Sequence, residues 1–278
     1  IKMKDKFNTP WRRMATAIYT APSDGKVFGT MEIDVTDTKQ YISDQREKGN
    51  HLTITHVVVA AIARAISIDA PEVNGFVRRG KIVPRDYIDV AVAVNIKDGQ
   101  EMASLVVRNA DKKTLREIGE EIREEAESQR QGDEGKTMST KYILAKIPWP
   151  FRRWVFRLIR GTVSVLGIQL KSLGLTNRSF GSILVTNIGT HGLSTAYGAL
   201  LPAAQIPAVI VMSKIEEKPV VRDGEIVIRS IMPLSGTFDH RVVDANQVSK
   251  VARNVIDRLA RPQELETVPP ELSQSSSD

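Results

Sequence analysis

Four histidines and no cysteine bound the chemistry open to this chain of 278 residues. Without cysteine there is no disulfide framework, no thiolate zinc site and no thiol nucleophile, a composition that fits a reducing cytoplasm. The histidines stand at 51, 56, 191 and 240, scattered without the spacing of a ligand set, so no metal site is expected. His51 lies in a polar turn and His56 in the first turn of an apolar helix; both read as structural or solvated. His191 follows Gly189-Thr190 and reads as a surface-loop histidine. His240 is different. It sits in Ser235-Gly-Thr-Phe-Asp-His-Arg-Val-Val-Asp244, directly after a strongly apolar strand and before the closing helix. A strand end on a fixed scaffold can present a side chain to a cleft, and imidazole is the side chain whose ordinary pKa suits proton transfer near neutrality. Asp244, four residues on, can return toward the histidine if a helix begins there. The same spacing also describes a plain capped helix start.

The elements that must position these residues follow from periodicity. Residues 26–36 alternate and are β-rich, predicting a strand. Thr53–Ile68 predicts an apolar helix with threonine capping candidates, closed before Pro71. Lys81–Val83 and Tyr87–Ile96 read as a strand pair, with Val90–Val94 apolar enough to be central in a sheet. Met102–Val107 reads as a further short strand. Asp111–Gln131 is a surface helix with the stripe Leu115, Ile118, Ile122 and Ala126, and with i,i+4 pairs Arg116–Glu120 and Arg123–Glu127. Gly132–Ser139 is a polar break. Ser182–Thr186, Ala208–Ser213 and Glu225–Leu234 predict strands, with Arg222-Asp-Gly-Glu225 as a hairpin turn. Val248–Leu259 is a closing amphipathic helix, ended by Arg261-Pro262. Strands and helices interleave without a linker or a repeat, which predicts one mixed α/β domain over 1–265. Residues 266–278, rich in serine after Pro269, are expected to be disordered.

Thr237-Phe-Asp-His-Arg-Val-Val-Asp-Ala245 resembles the Asp-His-Arg-x-x-Asp-Gly signature of the dihydrolipoyl acyltransferases, the cores of 2-oxo acid dehydrogenase complexes. Other landmarks follow in order along most of the chain: Arg12-Arg-Met-Ala15, Glu32-Ile-Asp-Val-Thr36, Pro71-Glu-Val-Asn-Gly75, Val90-Ala-Val-Ala-Val94 and Ser182-Ile-Leu-Val-Thr-Asn-Ile-Gly189. The resemblance implies a chloramphenicol acetyltransferase-like, two-layer α/β fold with a mixed sheet and helices. It implies coenzyme A-dependent acyl transfer to a lipoamide-like thiol or another acceptor, with acyl-CoA as substrate and no covalently bound cofactor. His240 matches the general base, and Thr186 matches the hydroxyl that donates to the tetrahedral oxyanion, with Asn187 and Gly189 as its loop neighbours. Asp244 matches a carboxylate that fixes the loop through a salt bridge to Arg12 or Arg13. The family's site lies between subunits, so a homotrimer or a cage of trimers is implied.

Three departures stand out. The family's Asp-Gly is Asp244-Ala245 here, and alanine would alter the loop if φ is positive. No lipoyl or subunit-binding domain is present in the sequence, so the resemblance is closer to free-standing bacterial relatives. A non-catalytic oligomeric scaffold that kept the fold is the alternative reading. The third departure is an insertion over 135–179, in which Phe151, Trp154, Val155, Leu158 and Ile159 face one side of a helix and Arg152, Arg153, Arg157 and Arg160 mostly the other. The favoured expectation is that this helix packs on its own domain or on a neighbouring subunit; contact with a membrane surface is the less favoured one.

Thirty-nine basic and 33 acidic side chains give a net charge of +6, mild for a whole surface. With no RNP-type aromatic motif or zinc-finger spacing, no nucleic-acid partner is expected. The excess suits an anionic small molecule such as a nucleotide-bearing thioester. Ile1–Arg13 is charged and lacks an apolar signal core. No window of about 18 uncharged apolar residues predicts a spanning helix.

Overall fold

The computed structural model describes residues 25–96, 101–130, 146–162, 178, 180–201 and 204–273. β1 (Lys26–Asp34) leads into α1 (Thr36–Glu47), then α2 (Ile54–Arg64), which continues as a wider π-turn over Ala65–Asp69. A short hairpin of β2 (Gly75–Arg78) and β3 (Lys81–Pro84) precedes the antiparallel pair β4 (Val90–Ile96) and β5 (Glu101–Val107). There follow α3 (Leu115–Arg130), α4 (Phe151–Arg160), β6 (Ile183–Asn187), β7 (Ala208–Met212), β8 (Glu216–Arg222) and β9 (Glu225–Asp239). α5 (Ala245–Ala260) closes the fold.

One mixed sheet organises the molecule, in the order β1-β9-β7-β6-β4-β5, with β8 paired to β9. β6 runs parallel to β4 and β7, and the other ladders are antiparallel. β7 is Ala-Val-Ile-Val-Met and buried at every position, as a central strand covered on both faces requires. Side chains alternate between the two faces of each strand. Ile183, Val185, Ala208, Ile210, Met212, Met232 and Leu234 point to the face covered by α2, α3 and α5. α2 is buried almost all round, from Val57 to Ala63, which explains a helix with no polar face until Arg64. Its first turn is capped by Thr53, whose side chain accepts from the His56 N–H.

Opposite that core, Leu184, Val209 and Val211 form a smaller apolar cluster with Leu200, Leu201, Ala204 and Ile206, part of a segment lying across β6 and β7. Gly198 lies so close to the sheet that a Cβ there would come within 2.3 Å of a Val209 methyl. This two-layer α/β arrangement, helices on one face of a mixed sheet, is the fold class expected from the sequence.

Four expectations change. β3 pairs with β2, Gly75 opposite Pro84, and not with the 87–96 segment, whose ladder partners are β5 and β6. α1 lies in a stretch assigned no element, because only Thr38 and Ile42 of its twelve residues are buried and the apolar period is faint. Residues 266–273 are not disordered: Pro262–Glu266 forms a 3-10 turn, Pro270–Ser273 a helical turn, and the buried Arg64 guanidinium donates to the Thr267 carbonyl. Among the described residues only part of the apolar side of α4 is covered: Val155 and Ile159 are half-buried, and the rest does not pack on its own domain. Phe151, Trp154 and Leu158 are 63%, 61% and 69% exposed.

Where the chain returns from the insertion, Arg178 clamps the buried Asp89 at 2.6 and 2.8 Å, and Arg108 adds a third contact at 2.8 Å. Burial would push the Asp89 carboxyl up, but Arg178, the Asn109 N–H and Arg108 together hold it below the ordinary carboxylate range. Next to it, Gly181 at φ +67 approaches the Asp89 carbonyl where a Cβ would sit 2.7 Å away.

Candidate functional site

β9 ends at Asp239, and the chain turns at once: the Val242 and Val243 amides both donate to the Asp239 carbonyl. Arg241 braces the turn with a bidentate pair to the Asp239 carboxylate, at 2.9 and 2.6 Å. His240 stands at the apex, exposed. Its backbone N–H donates to the Gly25 carbonyl at 2.7 Å, tying the loop to the start of β1. Its ring Nδ1 lies 2.9 Å from the Val243 carbonyl oxygen. A carbonyl oxygen only accepts, so Nδ1 carries the proton and the lone pair lies on Nε2.

Asp244 does not touch the imidazole. It is the N-cap of α5: its carboxylate accepts from the Asn246 N–H at 2.9 Å, and Gln247 reaches back to the Asp244 N–H at 3.1 Å. This capping box fixes the start of α5, and so the Val243 carbonyl that orients His240. The proposed partners Arg12 and Arg13 lie outside the described residues. Ala245 is the first residue of the helix, without positive φ, so the replacement of the family's glycine imposes no strain.

Thr186 lies near the end of β6, on the face opposite the helices, and among the described residues its hydroxyl has no hydrogen-bond partner. Its loop neighbours are explained by structure. Asn187 donates to Thr55 of α2 at 3.2 Å and accepts from the Gly189 N–H at 2.9 Å. Gly189 passes so close to β7's end that a Cβ would meet the Ser213 carbonyl oxygen at 2.8 Å. His191 and His51 are exposed and His56 is buried.

The ladder fixes how far apart the two chemical groups lie. Thr186 is level with Val211, and Val211 with Ser235. From there His240 is five residues along β9 and two strands across, a separation of about 15 Å or more at ~3.3 Å per residue and ~4.8 Å per strand. Within one chain the His240 imidazole and the Thr186 hydroxyl therefore do not meet.

A second polar group on the same face escaped the sequence reading. Ser235 and Thr237 alternate with the apolar positions of β9; the Thr30 hydroxyl bonds Ser235 at 2.9 Å and the Tyr197 hydroxyl at 2.7 Å, and Phe28 meets the Tyr197 ring edge-on. Hydroxyl residues at every second position of an otherwise apolar strand are the signal that marks this face.

Among the described residues no group of three or more potential ligands could hold a metal ion. Comparison with known proteins identifies the family. Residues 6–137 and 169–267 match the 2-oxoacid dehydrogenases acyltransferase (catalytic domain) family. The chain belongs to that family. It is 26% identical over 258 residues to the dihydrolipoyllysine-residue acetyltransferase component of the Bacillus subtilis pyruvate dehydrogenase complex, covering 90% of this chain and 46% of that protein. The chain spans about half the length of the curated relatives it matches. Among solved structures, a probable dihydrolipoamide acetyltransferase from Listeria monocytogenes superposes with a TM-score of 0.66 at 20% identity, over 90% of this chain and 89% of that one. The cubic core of a pyruvate dehydrogenase multienzyme complex gives 0.61 at 20% identity, over 86% and 83%. These structures share the fold. The family match passes over residues 138–168, which contain α4.

Proposed function

We propose that the chain is a coenzyme A-dependent acyltransferase that moves an acyl group between coenzyme A and a dihydrolipoyl-like thiol. The observation that carries this reading is His240, its Nδ1–H held by the Val243 carbonyl and its Nε2 left as a base. In the transfer, Nε2 takes the proton of the acceptor thiol as its sulfur attacks the thioester carbonyl carbon. The carbonyl π pair moves onto oxygen, and Thr186 donates a hydrogen bond to that oxyanion. When the intermediate collapses, the carbon–sulfur bond to coenzyme A breaks and the departing thiolate recovers the proton from His240. No acyl-enzyme forms. Asp244 acts as a positioning residue, through the helix start that holds Val243.

The separation of His240 from Thr186 within one chain favours a site completed across a subunit interface, in a homotrimer or a cage of trimers, in the cytoplasm. That a structure of the same fold forms the cubic core of a pyruvate dehydrogenase complex supports the assembly. The test is a panel of acyl-CoA donors against dihydrolipoamide and other acceptors with purified protein. His240→Ala is expected to lower kcat by about 10²–10⁴ with the oligomer intact, and retention of more than about a tenth of the activity removes the base assignment. Thr186→Ala should lower kcat by about 10²–10³ with KM little changed, while Thr186→Ser keeps most of it. Equal loss in both variants excludes the hydroxyl as donor. A wild-type protein silent across the panel would point to the scaffold reading.

A further inference from the structure

The inserted segment that the family match passes over has its own charge and its own unpartnered surface. Residues 138–168 contain Lys141, Lys146, Arg152, Arg153, Arg157 and Arg160 and no aspartate or glutamate. That excess of six equals the net charge of the whole chain, so the remaining residues are balanced. In the middle of this cationic stretch lies α4, Phe-Arg-Arg-Trp-Val-Phe-Arg-Leu-Ile-Arg. Phe151, Trp154 and Leu158, at i, i+3 and i+7, form an apolar row more than 60% exposed, and Trp149 extends it at 61%. Among the described residues α4 packs substantially on no other helix or strand. The buried Arg152 donates from Nε to the Ile147 carbonyl at 2.9 Å. Arg153 and Arg157 are exposed, and the Arg157 guanidinium lies 5.6 Å from the centre of the Trp154 ring.

We infer that α4 is a docking helix for an anionic lipid surface. An aromatic and aliphatic row flanked by arginines, with no acid within the segment, is complementary to a plane that is apolar inside and negatively charged at its edge. Tryptophan seats at the headgroup level, and the neighbouring arginines extend toward the phosphates while their stems cover apolar surface. A nucleic acid offers the charge but nothing for the exposed apolar row. A second copy of this chain offers apolar surface, yet outside the insertion its charges are balanced and provide no acidic excess to meet the arginines. The helix is short and lies on the surface; among the described residues no helix is long and apolar enough to cross a membrane. The inference is independent of the transfer chemistry.

The experiment is flotation of the full chain with vesicles of phosphatidylcholine alone and with about one-third phosphatidylglycerol. Wild-type protein is expected to float with the anionic vesicles only, less so at high salt, with tryptophan emission shifted to the blue. Arg153→Gln with Arg157→Gln should weaken the partition about 25-fold, since each basic residue near such a surface contributes about fivefold. Phe151→Ser, Trp154→Ser and Leu158→Ser together should abolish it, with Tm and oligomer mass unchanged. Absence of flotation with both vesicles overturns the inference. So does a triple variant that breaks the oligomer in a protein that ignores lipid, because the row is then a subunit contact.

Discussion

Two amphipathic, basic helices in this molecule meet opposite fates. α5 lays Val255 and Leu259, 2% and 0% exposed, against α2, and two of its cations find acids: Arg258 pairs with Asp69 at 2.8 Å and Lys250 with Glu72 at 3.7 Å. α4 has the sharper division of apolar and basic residues, yet its apolar row faces outward and its segment holds no acid at all. Amphipathicity establishes that a face must be covered; it does not say by what. The covering partner shows in the charges and in the neighbours: α5 belongs to the family's shared domain, and α4 to the insertion.

The strongest way to break the comparison is to truncate the same side chain in each helix. Leu259→Ala removes a fully buried leucine from the contact of α5 with the core, where the close-packed neighbours relax only partly. A loss of about 2–5 kcal/mol is expected in denaturant unfolding. A cost under about 1 kcal/mol would mean that α5 is not the structural closure of the fold, and the contrast with α4 would collapse.

The sequence made the site more legible than its surroundings. His240 could be singled out because the strand before it and the helix after it are both strongly periodic, so a polar break between them stands out. Turn chemistry decided the hairpins. Asp223-Gly224, both at positive φ, is a familiar two-residue turn and was readable; Arg79-Gly80 has the same backbone signs with an arginine in the first place, and the β2–β3 hairpin it closes was missed. The Asp244 carboxylate caps a helix, a role that its spacing to Gln247 permits, while the arginine partners that the resemblance implies lie outside the described residues. The Thr30–Tyr197–Ser235 network joins residues more than 160 positions apart, and nothing local announces it. The exposure of α4 was beyond the sequence for a different reason: a pattern of residues specifies a face and leaves its occupant unstated.

Acid sharpens the contrast, because a buried group of the packed helices titrates on unfolding. His56 sits in α2, with Gly119 of α3 so near that a Cβ there would lie 2.9 Å from Nδ1, and that nitrogen is buried without a partner among the described residues. Burial, helped by the positive charge of Arg46, pushes its pKa down to about 4. The unfolded chain binds a proton at about 6.5 and the folded chain does not until about 4, so stability is complete above the first value and falls as pH drops toward the second. The loss is about 3 kcal/mol across that window. Below it, Asp34, held down to about 2 by Arg229, Thr36 and Arg222 against the upward push of burial, adds a further loss between its unfolded value and its folded one. The check is urea unfolding at pH 7 and pH 4.5, with His56→Leu expected to flatten the upper part of the profile. An unchanged profile in that variant would assign the acid sensitivity elsewhere.

The smallest expected effect is the most discriminating. Leu158→Ala truncates a leucine like Leu259→Ala does, but at a position 69% exposed in the described chain. With little apolar area taken from water on folding there is little to lose, and the change in unfolding free energy should stay within about 0.5 kcal/mol. Anionic vesicle binding should weaken in the same variant, because the side chain loses area that only the bilayer would have buried. At Leu158 binding is lost without stability, and at Leu259 stability is lost without any role in binding. If Leu158→Ala instead costs about as much as Leu259→Ala in the assembled protein, the α4 row is covered by a neighbouring subunit, and the two helices differ only in which protein surface they meet.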